Sequence, residues 1–396
     1  MKEIIINTTE DKNIIVLTEN GSLLEKYEEY DNLQRLEGNI YLGIITDILP
    51  GMQAAFVDIG DGKNAFLHIK DILPKVSNKT GNKNEDLNKY NIKDYVKVGM
   101  PVVVEVKKDK TDKKGAKVST NLNIAGKFAV LIPNNEFVTI SQKVEDEEQI
   151  ARLNKAVKDL AIKDYGIIIR TSAVNASDAE IKEDIYEIIS TYENIKSNAD
   201  KLINSKNINP TLLFEKGNIV KRLILDIGNQ GLDNVIVNNK EVYENVCDII
   251  NELKTDANVK LIEKQDIFDL YDLNKQIAKV TNRKVWLDCG GFIIIDQTEA
   301  LTAIDVNTGK FIGKENIEKT VLKVNSEATV EIAKQIRARD IGGIVIIDYI
   351  DMDRKEDEEI IQNLLLENLK KDRAKTQVVG FTKLHLLEMT RKHICS

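Results

Sequence analysis

Two aspartates carry the strongest chemical signal in this sequence. Asp305 and Asp348 each follow a run of Ile, Val and Ala, in FIIIDQTEALTAIDVNTGK and GGIVIIDYIDM. A carboxylate in or at the end of a buried strand costs several kcal/mol to desolvate. It is retained where it has a cation, a dense hydrogen-bond set or a chemical task. A βαβ connection between the two strands would set the carboxylates side by side, which suits one shared divalent cation.

Three other groups could do chemistry. Arg170 and Thr171 close the strand-like run YGIIIRTSAVNAS; they could hold a phosphate through the guanidinium fork and the hydroxyl, or form an ordinary surface ion pair. Phe56 and Phe66 fall on consecutive strand-length runs, either as core or as a platform on which bases stack. Between Lys70 and Lys117 there are thirteen lysines against seven acids, a local +6 in a chain of net −8. That segment is either a face for polyanions or a solvated lysine-rich loop. Other chemistries are excluded. GKENIEK lacks the glycine spacing and GK[ST] ending of a phosphate-binding loop. Cys247, Cys289 and Cys395 form no CxxC pair, which argues against a disulfide framework or a structural zinc site. His68, His385 and His393 are too dispersed for a histidine metal site or triad.

The elements that must position these groups are legible in part. EIIIN, NIIVLTE and SLLEKY read as short strands with a tight Asn20-Gly21 hairpin turn. From Gly38, five strand-length runs punctuated by glycine predict a small antiparallel barrel of the OB type. The polar stretch PKVSNKTGNKNEDLNKYNIKDY reads as a long mobile loop within it. Residues 126–206 read as helical with one embedded strand, the second helix N-capped by Ser177. Residues 212–262 return to an α/β texture, and all five prolines precede that stretch. A long helix follows the Asp305 strand, with Ile317, Val321, Val324, Ala328, Ile332 and Ile336 on its apolar face. Gly342-Gly343 is its expected stop, ahead of the Asp348 strand. In an open α/β sheet, ligand sites lie at the carboxyl ends of strands, where both aspartates fall.

At 396 residues, several domains or subdomains are expected. With 42% hydrophobic and 30% charged residues, disorder is not the default. No apolar run approaches the roughly 20 residues that span a bilayer, and the first residues lack a signal peptide's apolar core. No membrane association and a cytoplasmic location are expected.

At these residues the chain resembles the ribonuclease E/ribonuclease G family of bacterial endoribonucleases. The matching blocks are AAFVDIGDGKNAFLHIKDI, IIIRTSA, EALTAIDVNTG, IRARDIGGIVIIDYIDM and LLEMTRK, in family order over nearly the whole chain. The resemblance implies an α/β multidomain fold. An RNase H-like subdomain (1–36 and 212–278) would be split around an OB-fold RNA-binding barrel (37–124) and a helical 5′-phosphate sensor (125–211), followed by a DNase I-like catalytic subdomain (279–396). It implies Asp305 and Asp348 as magnesium ligands, manganese being an alternative, and Asn307 near the scissile phosphate. Phe56 and Phe66 match RNA-contacting aromatics, and Lys114 in DKKGAK their basic partner. Arg170, Thr171, Gly126 and Val130 match the 5′-phosphate pocket. The implied reaction is magnesium-dependent cleavage of single-stranded A/U-rich RNA in rRNA processing and mRNA decay. It leaves 5′-phosphate and 3′-hydroxyl ends and is stimulated by a 5′-monophosphate. The alternative is a noncatalytic RNA-binding scaffold on the same fold.

Two departures stand out. The family pattern continues past LLEMTRK into a CPxC zinc-link and a small dimerisation domain, whereas this sequence ends at Ser396. No structural zinc is expected within these residues, and a homodimer would lack that tie. The family's arginine in its DRAR segment is Lys375 here, in DRAKTQ; lysine keeps the charge and loses the planar fork, so a weaker phosphate contact is expected.

Overall fold

The first three strands, β1 (Lys2–Thr8), β2 (Lys12–Glu19) and β3 (Ser22–Tyr30), form an antiparallel meander. β1 and β2 carry continuous apolar runs and pair as the first hairpin, and Asn20 and Gly21 turn the chain into β3 with φ of 51° and 76°. Two successive positive φ angles match the right-handed twist of the flanking strands, and Asn-Gly supplies them at least cost. The computed structural model describes residues 1–30, 35–72, 90–111, 114–158, 160, 162, 164–205, 207–228, 231–309 and 317–394. The chain divides into two compact units, residues 34–230 and residues 1–33 with 231–395.

In the unit of residues 34–230, β4 (Ile40–Leu49), β5 (Ala54–Asp58), β6 (Ala65–His68), β7 (Pro101–Lys108) and β8 (Lys117–Ser119) come first. They pair in the order β4-β5-β6-β8-β7, and β4 pairs again with β7, closing a five-stranded barrel as the glycine-punctuated pattern predicts; the expectation of an antiparallel barrel is corrected at one seam, where β6 and β8 run parallel. Small and branched inward residues (Ala55, Val57, Ala65, Leu67, Val104, Val106) fill it. Of the expected loop, residues 74–89 lie outside the described residues. Its last part is packed: Ile92 is fully buried against the barrel, and its N–H donates to Gln53 Oε1 at 2.9 Å.

Next come β9 (Ile124–Ala125), β10 (Ala129–Pro133), β11 (Phe137–Ile140), α1 (Glu147–Lys158), β12 (Tyr165–Ile169) and α2 (Asp178–Ile203). The expectation of one strand in residues 126–206 is corrected to three among the described residues, which with the preceding β9 form a sheet ordered β11-β12-β10-β9. The missed strands, β9, β10 and β11, are two to five residues long, too short to show a period, and β10 ends on Pro133. Ser177 caps α2 as expected, and with Glu180 it forms a full capping box. The unit ends with β13 (Thr211–Phe214), added to β4, and α3 (Ile219–Ile227).

The other unit resumes with β14 (Asn234–Val237), α4 (Lys240–Glu252), β15 (Asn258–Leu261) and α5 (Leu273–Thr281). β14 and β15 join the opening meander as the sheet β15-β14-β1-β2-β3. A second sheet follows, from β16 (Lys284–Trp286), β17 (Phe292–Gln297), β18 (Leu301–Asn307), β19 (Gly343–Asp348), β20 (Thr376–Phe381) and β21 (Leu386–Arg391). Its order is β16-β17-β18-β19-β21-β20, and only β18 and β19 run parallel. Their crossover is α6 (Ile317–Ala338); α7 (Lys355–Leu369) follows β19. Val324, Ala328, Ile332 and Ile336 of α6 and Ile361, Leu365 and Leu369 of α7 bury one sheet face with Ile304, Val306, Val345, Ile347, Leu387 and Met389.

The stop signal of α6 is corrected. Asp340, with φ of 48°, turns the chain out of the helix, and the N–H of Ile341 bonds back to the Ile336 carbonyl at 3.0 Å. Gly342 and Gly343 follow, and Gly343 already begins β19. Asp340 tolerates the left-handed conformation because its carboxylate is fixed by Arg391 at 2.7 Å. Buried ion pairs tie the elements of this unit: Glu25 on β3, with no exposed side-chain surface, accepts from Arg337 of α6 and from Arg373. No helix among the described residues is long and apolar enough to cross a membrane. Cys247 and Cys289 are free thiols; Cys395 lies outside the described residues.

Candidate active site

The parallel pairing of β18 and β19 sets Asp305 directly opposite Asp348. Alternation puts Thr302, Ile304 and Val306 under α6 and turns Ala303 and Asp305 the other way; Val345, Ile347 and Asp348 divide likewise. Both carboxylates are therefore exposed on the open face of the sheet, which corrects the expectation of costly buried acids. The apolar residues around them in sequence belong to the opposite face. The two carboxylates stand on neighbouring strands, one strand spacing of about 4.8 Å apart. Desolvation, then the charges of Asp305 and Asp351, push the Asp348 carboxyl above its ordinary range.

Asn307, two residues on, shares that face. Its Nδ2 donates to Asp305 Oδ2 at 2.6 Å. The chain around it is tightly apposed: a Cβ on Gly291 would lie 2.8 Å from the Asn307 carbonyl, so only glycine fits there. The donor set is two carboxylates with an adjacent amide. It suits a hard cation that keeps several waters, as Mg2+ does, and a cation between them would relieve the repulsion.

On the barrel, Phe56 and Phe66 are register partners on β5 and β6, with rings 6.3 Å apart and edge to face. Both are half-buried on the outer side, while Ala55, Val57, Ala65 and Leu67 point inward. Neither ring belongs to the barrel core, which sets the core reading aside. Lys114 is exposed in the turn before β8, closed by the Thr111 N–H to the Lys114 carbonyl at 2.8 Å. Two residues on, the Ala116 carbonyl accepts from the Phe66 N–H at 2.7 Å, so turn and aromatic pair are adjacent.

Arg170 follows β12, and Thr171 opens a short 3-10 turn. Arg170 Nη1 donates to the Gly126 carbonyl at 2.7 Å, and Nη2 pairs with Asp226. The ion-pair alternative is thus realised here. Gly126, Arg170 and the turn of residues 126–129 come together, with Val130 next along β10 and Thr171 exposed at the turn. Asp184 of α2 accepts the backbone N–H groups of Lys127, Phe128 and Ala129 at 2.8, 2.8 and 3.0 Å. A Cβ at Gly126 would meet Asp184 Oδ1 at 2.5 Å, which explains the glycine.

Comparison with known proteins decides the family. A model described as "Ribonuclease E/G family" matches residues 123–394, and one described as "S1 RNA binding domain" matches residues 36–121. Ribonuclease G of Escherichia coli K12 and that of Haemophilus influenzae are each 36% identical over 395 residues, covering 98% of this chain and 79% of the relative. Ribonuclease E of Buchnera aphidicola from Schizaphis graminum is 33% identical over 403 residues, covering all of this chain and 41% of that protein. The chain belongs to the ribonuclease E/G family.

Several residues that position this family's motifs here escape a reading of the sequence. On α6, fully buried Asn325 bonds both backbone groups of Ile350: Nδ2 donates to the carbonyl at 2.8 Å, and Oδ1 accepts from the N–H at 3.2 Å. Thr329, one turn later, donates to the buried Tyr349 hydroxyl at 2.9 Å. The two residues after Asp348 are thereby fixed. In the S1 barrel, Lys117 is the register partner of Phe66, and the His68 ring lies 6.5 Å from that of Phe66. Burial, then Lys70, hold the His68 imidazole below its ordinary range, so its ring is neutral near pH 7. Arg152 clamps the turn carrying Thr171 through the carbonyls of Ala173, Val174 and Ala176. Polar residues inside helices are the only sequence signal for Asn325 and Thr329, and that signal does not name a partner. Lys375, at the lysine-for-arginine departure, is exposed just before β20.

Proposed function

We propose that this endoribonuclease cuts single-stranded, A/U-rich RNA with Mg2+ held by Asp305 and Asp348, leaving 5′-phosphate and 3′-hydroxyl ends. The observation that carries the reading is the register pairing of these two carboxylates, with Asn307 hydrogen-bonded to one of them. When bound, the ion supplies neutralisation of the phosphodiester charge and a more acidic water. Asn307, held by Asp305, orients the phosphate, a positioning role. Asn325 and Thr329 keep the Asp348 strand end from drifting, so the carboxylates need no reorganisation at the moment of reaction. Phe56, Phe66 and Lys114 hold bases and backbone of the strand. Arg170 and Thr171, with the turn at Gly126 and Val130, receive a 5′-monophosphate, which raises affinity for processed ends and fits rRNA processing and mRNA decay.

The domain division at residues 37, 125, 212 and 279 is part of this reading. It is supported by one sheet built from residues 2–30 and 234–261, with the barrel and the β9–β12 sheet between them in sequence. The test is cleavage of a 5′-monophosphorylated A/U-rich oligonucleotide with and without Mg2+, with the product ends mapped. Asp305→Asn and Asp348→Asn should each abolish cutting and keep RNA binding within a few-fold of wild type. Turnover retained by either variant would overturn the assignment.

A further inference from the structure

The open sheet face extends beyond Asp305 and Asn307 to a group of residues that the proposed mechanism leaves unused. Trp286 pairs with Phe292, and Phe292 pairs with Asn307, in register across β16, β17 and β18. One row along, Lys284 pairs with Ile294, and Ile294 pairs with Asp305. Residues 284, 286, 292, 294, 305 and 307 therefore share the face opposite α6. At about 4.8 Å per strand, Phe292 stands one spacing from Asn307 and Trp286 two.

The three side chains form one cluster. The Trp286 and Phe292 rings meet edge to face at 5.3 Å, and Lys284 Nζ lies 4.0 Å from the Trp286 centroid and 3.5 Å from that of Phe292. Trp286 is 57% exposed on an edge strand, where a large apolar ring is a liability unless something covers it. An interface with a second protein copy would favour the aromatics but exclude a lysine from its centre. A nucleotide uses both: the ring face stacks a base, and the ammonium meets the phosphate.

We propose that Trp286, Phe292 and Lys284 form a stacking platform for a nucleotide flanking the scissile phosphate, setting the strand's register over Asp305 and Asp348. This rests on the proposed cutting of RNA at those residues. Trp286 is the chain's sole tryptophan, so its fluorescence reads the platform directly. An A/U-rich RNA added in EDTA should quench Trp286 and shield it from iodide. Cleavage of oligonucleotides with single abasic sites should then fall about tenfold at one position beside the cut. Trp286→Ala should cut the intact substrate that much more slowly and lose its sensitivity to that abasic site, while Trp286→Phe retains both. Fluorescence unchanged while anisotropy shows RNA bound would overturn the proposal, as would a Trp286→Ala enzyme as sensitive to the abasic site as wild type. Quenching that follows protein concentration without RNA would assign the face to self-association and also overturn it. A wild-type protein that binds RNA without cutting it would instead sink the catalytic reading, and the fluorescence alone would then decide the platform.

Discussion

Asn325 on α6 hydrogen-bonds both the carbonyl and the N–H of Ile350, two residues beyond Asp348, from a position with no exposed surface. An amide that satisfies both backbone groups of one residue acts as a clamp, because it fixes orientation as well as distance. Asn325→Ala should lower kcat about tenfold or more with KM for RNA near wild type, as losing about 1–3 kcal/mol of buried pairing predicts. A matching rise in KM with unchanged kcat would show that the clamp does not serve the carboxylates.

The outward aromatics of the barrel give a second prediction. Phe56→Ala and Phe66→Ala should each weaken single-stranded RNA binding by about 1–3 kcal/mol. Because the rings touch, the double variant should lose less than the sum. Equilibrium binding of a short oligonucleotide without divalent ions measures this. Additive losses would mean that the rings hold separate bases.

Arg170 faces a competitor. Its pairing with Asp226 must be exchanged or shared when a phosphate arrives. Asp226→Asn should therefore increase the preference for 5′-monophosphate over 5′-hydroxyl ends several-fold, since a charge-assisted partner is removed. Arg170→Lys should reduce that preference by losing the fork. The ratio of kcat/KM for the two substrates is the readout, and no change in either variant would detach Arg170 from 5′-end recognition.

Stability should carry an acid limb from Asp372. Burial alone would raise this carboxyl, but Arg391, whose Nε lies 2.6 Å away, more than offsets it and holds the group below the ordinary range. The folded state thus binds the proton less tightly than the unfolded chain. The contribution is full above about pH 4 and is lost as pH falls through the lowered folded value. The Tm of Asp372→Asn should lie below wild type at pH 7, with the gap narrowing towards pH 3. A gap independent of pH would assign the loss to packing instead.

Much of this was legible in local pattern. The Asn20-Gly21 turn, the Ser177 capping box, the glycine-punctuated barrel and the apolar face of α6 are written in neighbouring residues, and neighbouring residues form them. The two aspartates stood out for the same reason, each as an acid at the end of an apolar run. Their environment did not. An apolar run says that one face of a strand is covered, and the side on which Asp305 and Asp348 fall depends on which face α6 and α7 take. Three short strands of the β9–β12 sheet gave no usable period because none is longer than five residues. The clamp of Asn325 on Ile350, the Asp226 partner of Arg170 and the row from Trp286 to Asn307 all join residues far apart in the chain. The sequence by itself singled out the candidate groups and pointed to the family. Only the tertiary structure decided that the carboxylates are open to solvent and what stands beside them, because register and sheet-face choice are set by packing between distant segments.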